Sequence, residues 1–232
     1  MDTKVYELEV NAYLFKTLNL NESSGHIARI IDSLLVKDDD YLKMHNDKCF
    51  KEYCFSNFNG AEKDYTFKEG NVYSFRIRTI SLDLANYIKD NLRGSYTDEM
   101  QILGVKMKLV PKKYIEKIYS VTPTICRFKN SDYWRETYTI SQVEEMIVVN
   151  LLRKYEQHTG IKLPSNTDIF NSIKIKNKRP IPTKYKNVYL LGDFMEFDMM
   201  KTSLAQDIAY FALGVGIGEI NARGFGYANY SY

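Results

Sequence analysis

The sequence predicts an α+β fold made of two consecutive ferredoxin-like (RRM-like) domains with a C-terminal glycine-rich loop. Three observations carry this expectation. Strand-like and helix-like segments follow one another in the order β-α-β-β-α-β, and that order starts again near residue 116. Each run spans about 110 residues, the size of a small domain, and the two together fill the 232-residue chain. A composition of 44% hydrophobic and 26% charged residues suffices for ordinary buried cores and excludes wholesale disorder. The expected domains are residues 1–115 and 116–232.

Residues 5–14 place Tyr6, Leu8, Val10, Ala12 and Leu14 on one side and Glu7, Glu9 and Asn11 on the other, the period of a half-buried strand. Ser23 and Ser24 then offer a helix cap, and Ile27, Ile30, Ile31, Leu34 and Leu35 draw one apolar stripe at helical spacing. Asp38, Asp39 and Asp40 are expected to close that helix region. The aromatic-rich residues 50–58 and the alternating residues 72–80 read as two strands. A helix capped near Ser81 follows with Leu84, Ala85, Ile88 and Leu92, and Gly94 ends it. Residues 100–110 supply the next strand, with Val105, Met107 and Leu109 opposite Lys106 and Lys108.

The second run opens with a strand from about residue 116 to 128. Ser141-Gln-Val-Glu144 reads as a capping box before a helix carried by Val143, Ile147, Leu151 and Tyr155. Residues 169–176 and 187–198 are expected to form a hairpin whose long connection holds Pro180 and Pro182. A last helix begins near Thr202 with Leu204, Ile208, Phe211 and Ala212, and a glycine-rich segment leads into a short final strand.

A net charge of only +3 identifies no partner, so the placement of the basic residues matters more than their number. Residues 173–187 contain Lys174, Lys176, Lys178, Arg179, Lys184 and Lys186 and no acid. A second concentration comprises Lys106, Lys108, Lys112, Lys113 and Lys117. Alternate lysines on extended chain can track a phosphate backbone, or can keep an exposed sheet edge from aggregating.

Five of the 12 glycines are Gly214, Gly216, Gly218, Gly224 and Gly226, with Arg223 among them. They read as a loop of exposed backbone N–H groups able to approach a phosphate, whereas a tight bend would account for only one or two of them.

Of three histidines, His158 suits a helix C-terminus, His26 starts the first helix, and His45 falls in an irregular polar stretch beside Lys48 and Lys51. Neither the Asp38 to Asp40 triplet nor His45 with Cys49 and Cys54 has the spacing of a convincing metal site, and no metal or other cofactor is expected. Three cysteines read as free thiols, and the chain has no signal-like start or membrane-length apolar run, so a cytoplasmic location is expected.

The run GIGEINARGFG, spaced Gly216-x-Gly218-x5-Gly224-Phe225-Gly226, resembles the glycine-rich signature of the Cas6 CRISPR RNA-processing endoribonucleases of the RAMP superfamily. The segment YLKMHNDKCFKEYCFSNF, residues 41–58, is similar to that family's catalytic stretch, in which a histidine precedes a lysine by six residues ahead of an aromatic-Ser strand. Here these are His45, Lys51 and Phe55-Ser56. The resemblance implies metal-independent cleavage within the repeats of a CRISPR precursor RNA, leaving 2′,3′-cyclic phosphate and 5′-hydroxyl ends. It implies that His45 transfers a proton and that Lys51 stabilises charge on the phosphorane. The glycine loop with Arg223 and the cations of residues 174–186 would grip the RNA.

Many family members place a tyrosine or second histidine on the first helix, where this chain has Ile30-Ile31-Asp32. His26, Tyr41 and Lys48 are therefore the candidates for a third catalytic partner. The implied partner is CRISPR repeat RNA, with no membrane; association with an interference complex and homodimerisation stay open. Two rival readings are a non-catalytic CRISPR repeat RNA-binding subunit, either Cas5-like or a Cas6 family member that has lost catalysis, and a generic double ferredoxin-like module for a small ligand or protein.

Overall fold

The computed structural model describes residues 3–47, 49–128 and 133–232. The chain begins with β1 (Tyr6–Leu14), β2 (Leu18–Asn19), α1 (Leu20–Leu35) and α2 (Asp39–Asn46), followed by β3 (Tyr53–Phe55), β4 (Thr66–Phe67), β5 (Val72–Thr79), α3 (Leu82–Asn91) and β6 (Met100–Leu109). Four of these strands form an antiparallel sheet in the order β3-β5-β1-β6. The alternation in β1 sends Leu8, Val10, Ala12 and Leu14 into one core with Ile27, Ile30, Ile31 and Leu34 of α1 and Leu84, Ala85 and Ile88 of α3. The opposite face is charged: Glu7 lies opposite Arg78 and Lys108, and Glu9 opposite Arg76 and Lys106. The lysine ladder of β6 is thus interleaved with acids, and Lys108 Nζ sits 3.1 Å from Glu7.

The second half contains β7 (Lys117–Ser120), α4 (Ile140–Thr159), β8 (Phe170–Ile175), β9 (Ile181–Tyr185), β10 (Val188–Gly192), β11 (Met195–Met199), α5 (Ser203–Val215) and β12 (Ala228–Ser231). A second antiparallel sheet has the order β12-β7-β11-β8. Numbered within each half, both sheets run fourth, first, third, second. The expected hairpin is more elaborate than its sequence suggests. β8 does pair with β11, but β9 and β10 form a separate two-stranded hairpin projecting from the connection between them. Pro182 is tolerated in β9 because that ribbon has only two strands.

Several helix boundaries also differ from expectation. α1 starts at Leu20, and Ser23 and Ser24 are buried inside it rather than capping it. Asp38 does not close a helix; its side chain caps α2 by accepting from the Asp40 and Tyr41 N–H groups. The capping box of α4 is Thr139 with Gln142, two residues before the expected one. No described helix is long and apolar enough to cross a membrane.

The two halves are tightly joined. Val5 and Ile80 of the first belong to the core of the second, and Gly214 of α5 lies so close that an added Cβ would meet Ile80 Cγ2 at 2.6 Å. Glu7 is buried in this junction at 2% exposure. Burial opposes its ionisation, but Arg78 at 2.7 Å and Lys108 outweigh it and hold the carboxyl below its ordinary range. Arg78 also donates to the Ala228 carbonyl at 2.6 Å and to Asn229 at 3.0 Å, tying β5 to β12.

Candidate active site

A cleft of about 520 Å³ separates α1 from the β9–β10 hairpin. α1 supplies Glu22, His26, Arg29 and Asp32 to one wall, a stripe recurring at helical spacing opposite the apolar face; Lys184 and Lys186 line the other side, with Arg223 from the glycine-rich segment. Arg29 Nη1 lies 3.2 Å from both Glu99 carboxylate oxygens, and His26 Nδ1 lies 3.6 Å from the same carboxylate. Burial lowers the His26 pKa, with Glu99 pulling against it, so the imidazole is biased towards its neutral form.

His45 is not in a loop. It occupies the last turn of α2, and its Nδ1 lies 3.5 Å from Asp32 Oδ1 at the edge of the cleft. The other Asp32 oxygen accepts from Arg223 Nη1, so one carboxylate stands between the histidine of α2 and the arginine of the glycine segment. Burial works against the Arg223 charge and Asp32 more than compensates, raising its pKa.

Lys51 points elsewhere: its ammonium donates to the Met44 carbonyl and, at 2.7 Å, to the Asp47 carbonyl, where it caps the C-terminal end of α2. Tyr41 packs on Tyr87 with ring centroids 4.5 Å apart, away from the cleft lining. Lys48 lies outside the described residues. Of the two candidate partners within the described residues, His26 lines the cleft and Tyr41 does not.

The glycine-rich segment is built for close packing, not for display of N–H groups. Gly214 is in α5, and Gly214, Gly216, Gly218, Gly224 and Gly226 are all buried. Many of its N–H groups are already used: that of Ile217 donates to the Gly226 carbonyl, that of Glu219 to Ile125, and that of Gly226 to Pro123. At Gly226, φ is +62° and a Cβ would fall 1.9 Å from the Ile217 oxygen, so only glycine fits. At Gly224 a Cβ would meet Phe55 at 2.7 Å and Ser24 at 2.9 Å, which is how this segment comes close enough to α1 to deliver Arg223.

Beneath it, the buried Lys154 of α4 donates to the Gly218 carbonyl at 2.7 Å, the Gly216 carbonyl at 3.2 Å and Asn221 Oδ1 at 2.6 Å. Burial pushes its pKa down to about 7.

The basic residues divide into paired and unpaired sets. Lys174 on β8 and Lys176 just after it reach Asp198 at 3.4 Å and Glu196 at 3.1 Å on neighbouring β11, acids that also face Lys117. Lys184 pairs with Glu22 at 2.7 Å, joining the hairpin to α1. Lys178, Arg179 and Lys186 have no acidic partner among the described residues. A second cleft, of about 940 Å³, is lined by Ile181, Pro182, Thr183 and Tyr189 of the same hairpin, has no cation in its lining and bears the exposed rings of Tyr65 and Tyr189. No group of three or more His, Cys, Asp or Glu side chains converges among the described residues. Cys54, buried, donates to the Leu213 and Gly214 carbonyls rather than facing His45.

Residues 108–230, more than half of the chain, match the family described as "CRISPR associated protein Cas6, C-terminal". The chain belongs to the Cas6 family. This places it in the RAMP superfamily of CRISPR-associated proteins. Among solved structures, this Cas6 family member is similar to "CRISPR associated protein Cas6", with 19% identity and a TM-score of 0.72 over 98% of this chain and 100% of that one. It is similar to "An RAMP protein binding different RNA substrates" at 15% identity and TM-score 0.74, covering 98% and 100%. A Cas6-related protein from Pyrococcus furiosus gives 15% identity and TM-score 0.70, covering 98% of each chain. At these identities the likeness is one of fold. No curated protein sequence matches the chain.

The Cas6 cleft contains groups that the sequence reading passed over. Arg29 is one, held by Glu99 from beside the cleft, and Asp32, noted above only as standing where relatives carry a tyrosine or histidine, is another; Glu22, His26, Arg29 and Asp32 recur at i, i+4, i+7 and i+10. A titratable stripe of that kind on the polar side of a helix is the signal that points to them. Lys154 gave no such signal, since it sits within the apolar stripe of α4 and acquires its role only from the segment folded over it.

Proposed function

We propose that this Cas6 family member is a metal-independent endoribonuclease that cleaves CRISPR precursor RNA within its repeats, leaving 2′,3′-cyclic phosphate and 5′-hydroxyl ends. The observation that carries this reading is a histidine, His45, at the edge of a cleft that also holds His26, Arg29, Lys184, Lys186 and Arg223. The reaction needs a base to take the 2′-hydroxyl proton as the 2′-oxygen bonds to phosphorus. It needs an acid to protonate the 5′-oxygen as its bond to phosphorus breaks. Two imidazoles beside one cationic cleft can divide these tasks, each proton transfer being worth ~10²- to 10⁴-fold. Cations fixed along the cleft stabilise the charge that builds on the phosphorane oxygens.

In this reading residues 1–115 and 116–232 are tandem ferredoxin-like domains. Lys178, Arg179 and Lys186 supply most of the unpaired charge for the RNA backbone, and Lys174, Lys176 and Lys184 contribute less because acids face them. Glycines 214–226 act by bringing Arg223 to the RNA rather than by contacting it throughout. Lys51 acts on the α2 terminus that carries His45.

One observation favours the second reading, a repeat-binding subunit without catalysis: the Lys51 ammonium is held by two backbone carbonyls and does not line the cleft. Incubating the protein and a His45→Ala variant with labelled repeat RNA in excess EDTA decides between them. Cleavage at one position with a cyclic phosphate end, lost in the variant, supports the nuclease. Tight, salt-sensitive binding without cleavage supports the binding subunit.

A further inference from the structure

We propose that Asp32 is a positioning residue for His45, holding the imidazole in the tautomer whose Nε2 can accept the 2′-hydroxyl proton. The inference rests on the nuclease reading of the cleft and names a group which that reading does not use. Three observations point to it. Asp32 Oδ1 is buried and has no hydrogen-bond partner among the described residues, an expensive state for a carboxylate oxygen. His45 Nδ1 lies 3.5 Å from that oxygen, one short closure away from a hydrogen bond, and such contacts commonly tighten only when substrate binds. The second oxygen is fixed by Arg223, so the carboxylate cannot rotate freely away from the imidazole.

The supporting elements differ in rigidity in the direction the role requires. Asp32 sits on α1, whose neighbouring Ile30, Ile31 and Leu34 are fully enclosed in the core. His45 sits on an eight-residue helix with no fully buried residue, so its ring needs an outside tether. A carboxylate accepting from Nδ1–H leaves the lone pair on Nε2, because the hydrogen bond made by one ring nitrogen sets the state of the other. Asp32 does not touch the reacting atoms in this scheme; it acts through His45.

The test compares Asp32→Asn, which keeps shape and removes charge, and Asp32→Glu with the wild type. Single-turnover cleavage of repeat RNA should fall ~10²-fold in Asp32→Asn, a share of the gain available to the proton transfer that Asp32 orients. RNA affinity should not fall, since Arg223 is released rather than lost. Nitrogen-15 NMR of the His45 ring should show the Nδ1–H tautomer in the wild type and its loss in Asp32→Asn, with partial restoration in Asp32→Glu. An unchanged cleavage rate, or an unchanged His45 tautomer in a folded Asp32→Asn protein, overturns the proposal. If the wild type cleaves no repeat RNA, the nuclease reading fails, and the NMR signature still decides whether Asp32 orients His45.

Discussion

Lys154 allows the energetics of the glycine segment to be tested with a known sign. Replacing it with Met keeps the buried stem and removes the ammonium that holds the Gly216 and Gly218 carbonyls and Asn221. Two effects then oppose each other at neutral pH. Three buried oxygens lose a donor, at about 1 to 3 kcal/mol each, and the cost of burying a charge disappears. Their near-cancellation makes a single stability value uninformative, but the pH dependence separates them.

Burial lowers the folded-state pKa of Lys154 to about 7, whereas in the unfolded chain it is ~10.4. Between these values the unfolded chain binds more protons, so wild-type stability rises with pH relative to Lys154→Met, and below the lower value the two profiles run parallel. From about pH 7 to about pH 9 the relative gain is ~2 kcal/mol, less than two full units at ~1.4 kcal/mol each because the folded-state lysine is still half protonated at the start. Urea unfolding of both proteins across that range measures the difference directly. A difference that stays constant refutes the argument and means that the three oxygens hold the ammonium charged throughout.

The glycines and the cations make sharper, simpler predictions. Gly226→Ala drives a methyl into the Ile217 carbonyl at positive φ and should cost more than ~3 kcal/mol in urea unfolding. Gly25→Ala, in the interior of α1 with open space at its Cβ, should instead stabilise by about 1 kcal/mol. In RNA titrations, replacing Lys178, Arg179 and Lys186 together with Ala should reduce the slope of log affinity against log salt by ~2, at about 0.7 per phosphate on a single strand. Replacing Lys174 and Lys176 should leave that slope nearly unchanged, because Glu196 and Asp198 already face them.

Local signals in the sequence carried much of the fold. The Ile27 to Leu35 stripe and the alternation from Tyr6 to Leu14 depend on period alone, and both elements form as expected. α2 escaped because its eight residues bury no side chain fully and leave no apolar stripe to read; its cap, Asp38, looked like the end of the preceding helix. Without that helix, the sequence leaves His45 in an irregular polar stretch. The basic run of residues 173–187 is free of acids along the chain but not across the sheet, where β11 supplies Glu196 and Asp198. The glycines were legible as a group, yet their purpose depends on Phe55, Ser24, Ile217 and Asn221 packed against them, which no local pattern encodes. Asp32 illustrates the same limit most sharply: its significance comes from His45 on one side and from Arg223, 191 residues away, on the other.

That last ion pair has a consequence for how the protein comes to life. One wall of the cleft belongs to the first sheet's helix, and Arg223 follows the last helix of the second half, so neither half alone contains the complete pocket. A fragment ending before Arg223 carries both cleft-side histidines but leaves Asp32 without its arginine. The cleft is therefore a checkpoint on assembly: it becomes whole only when the two halves have docked. Expressed as separate pieces, they should regain it only on recombination.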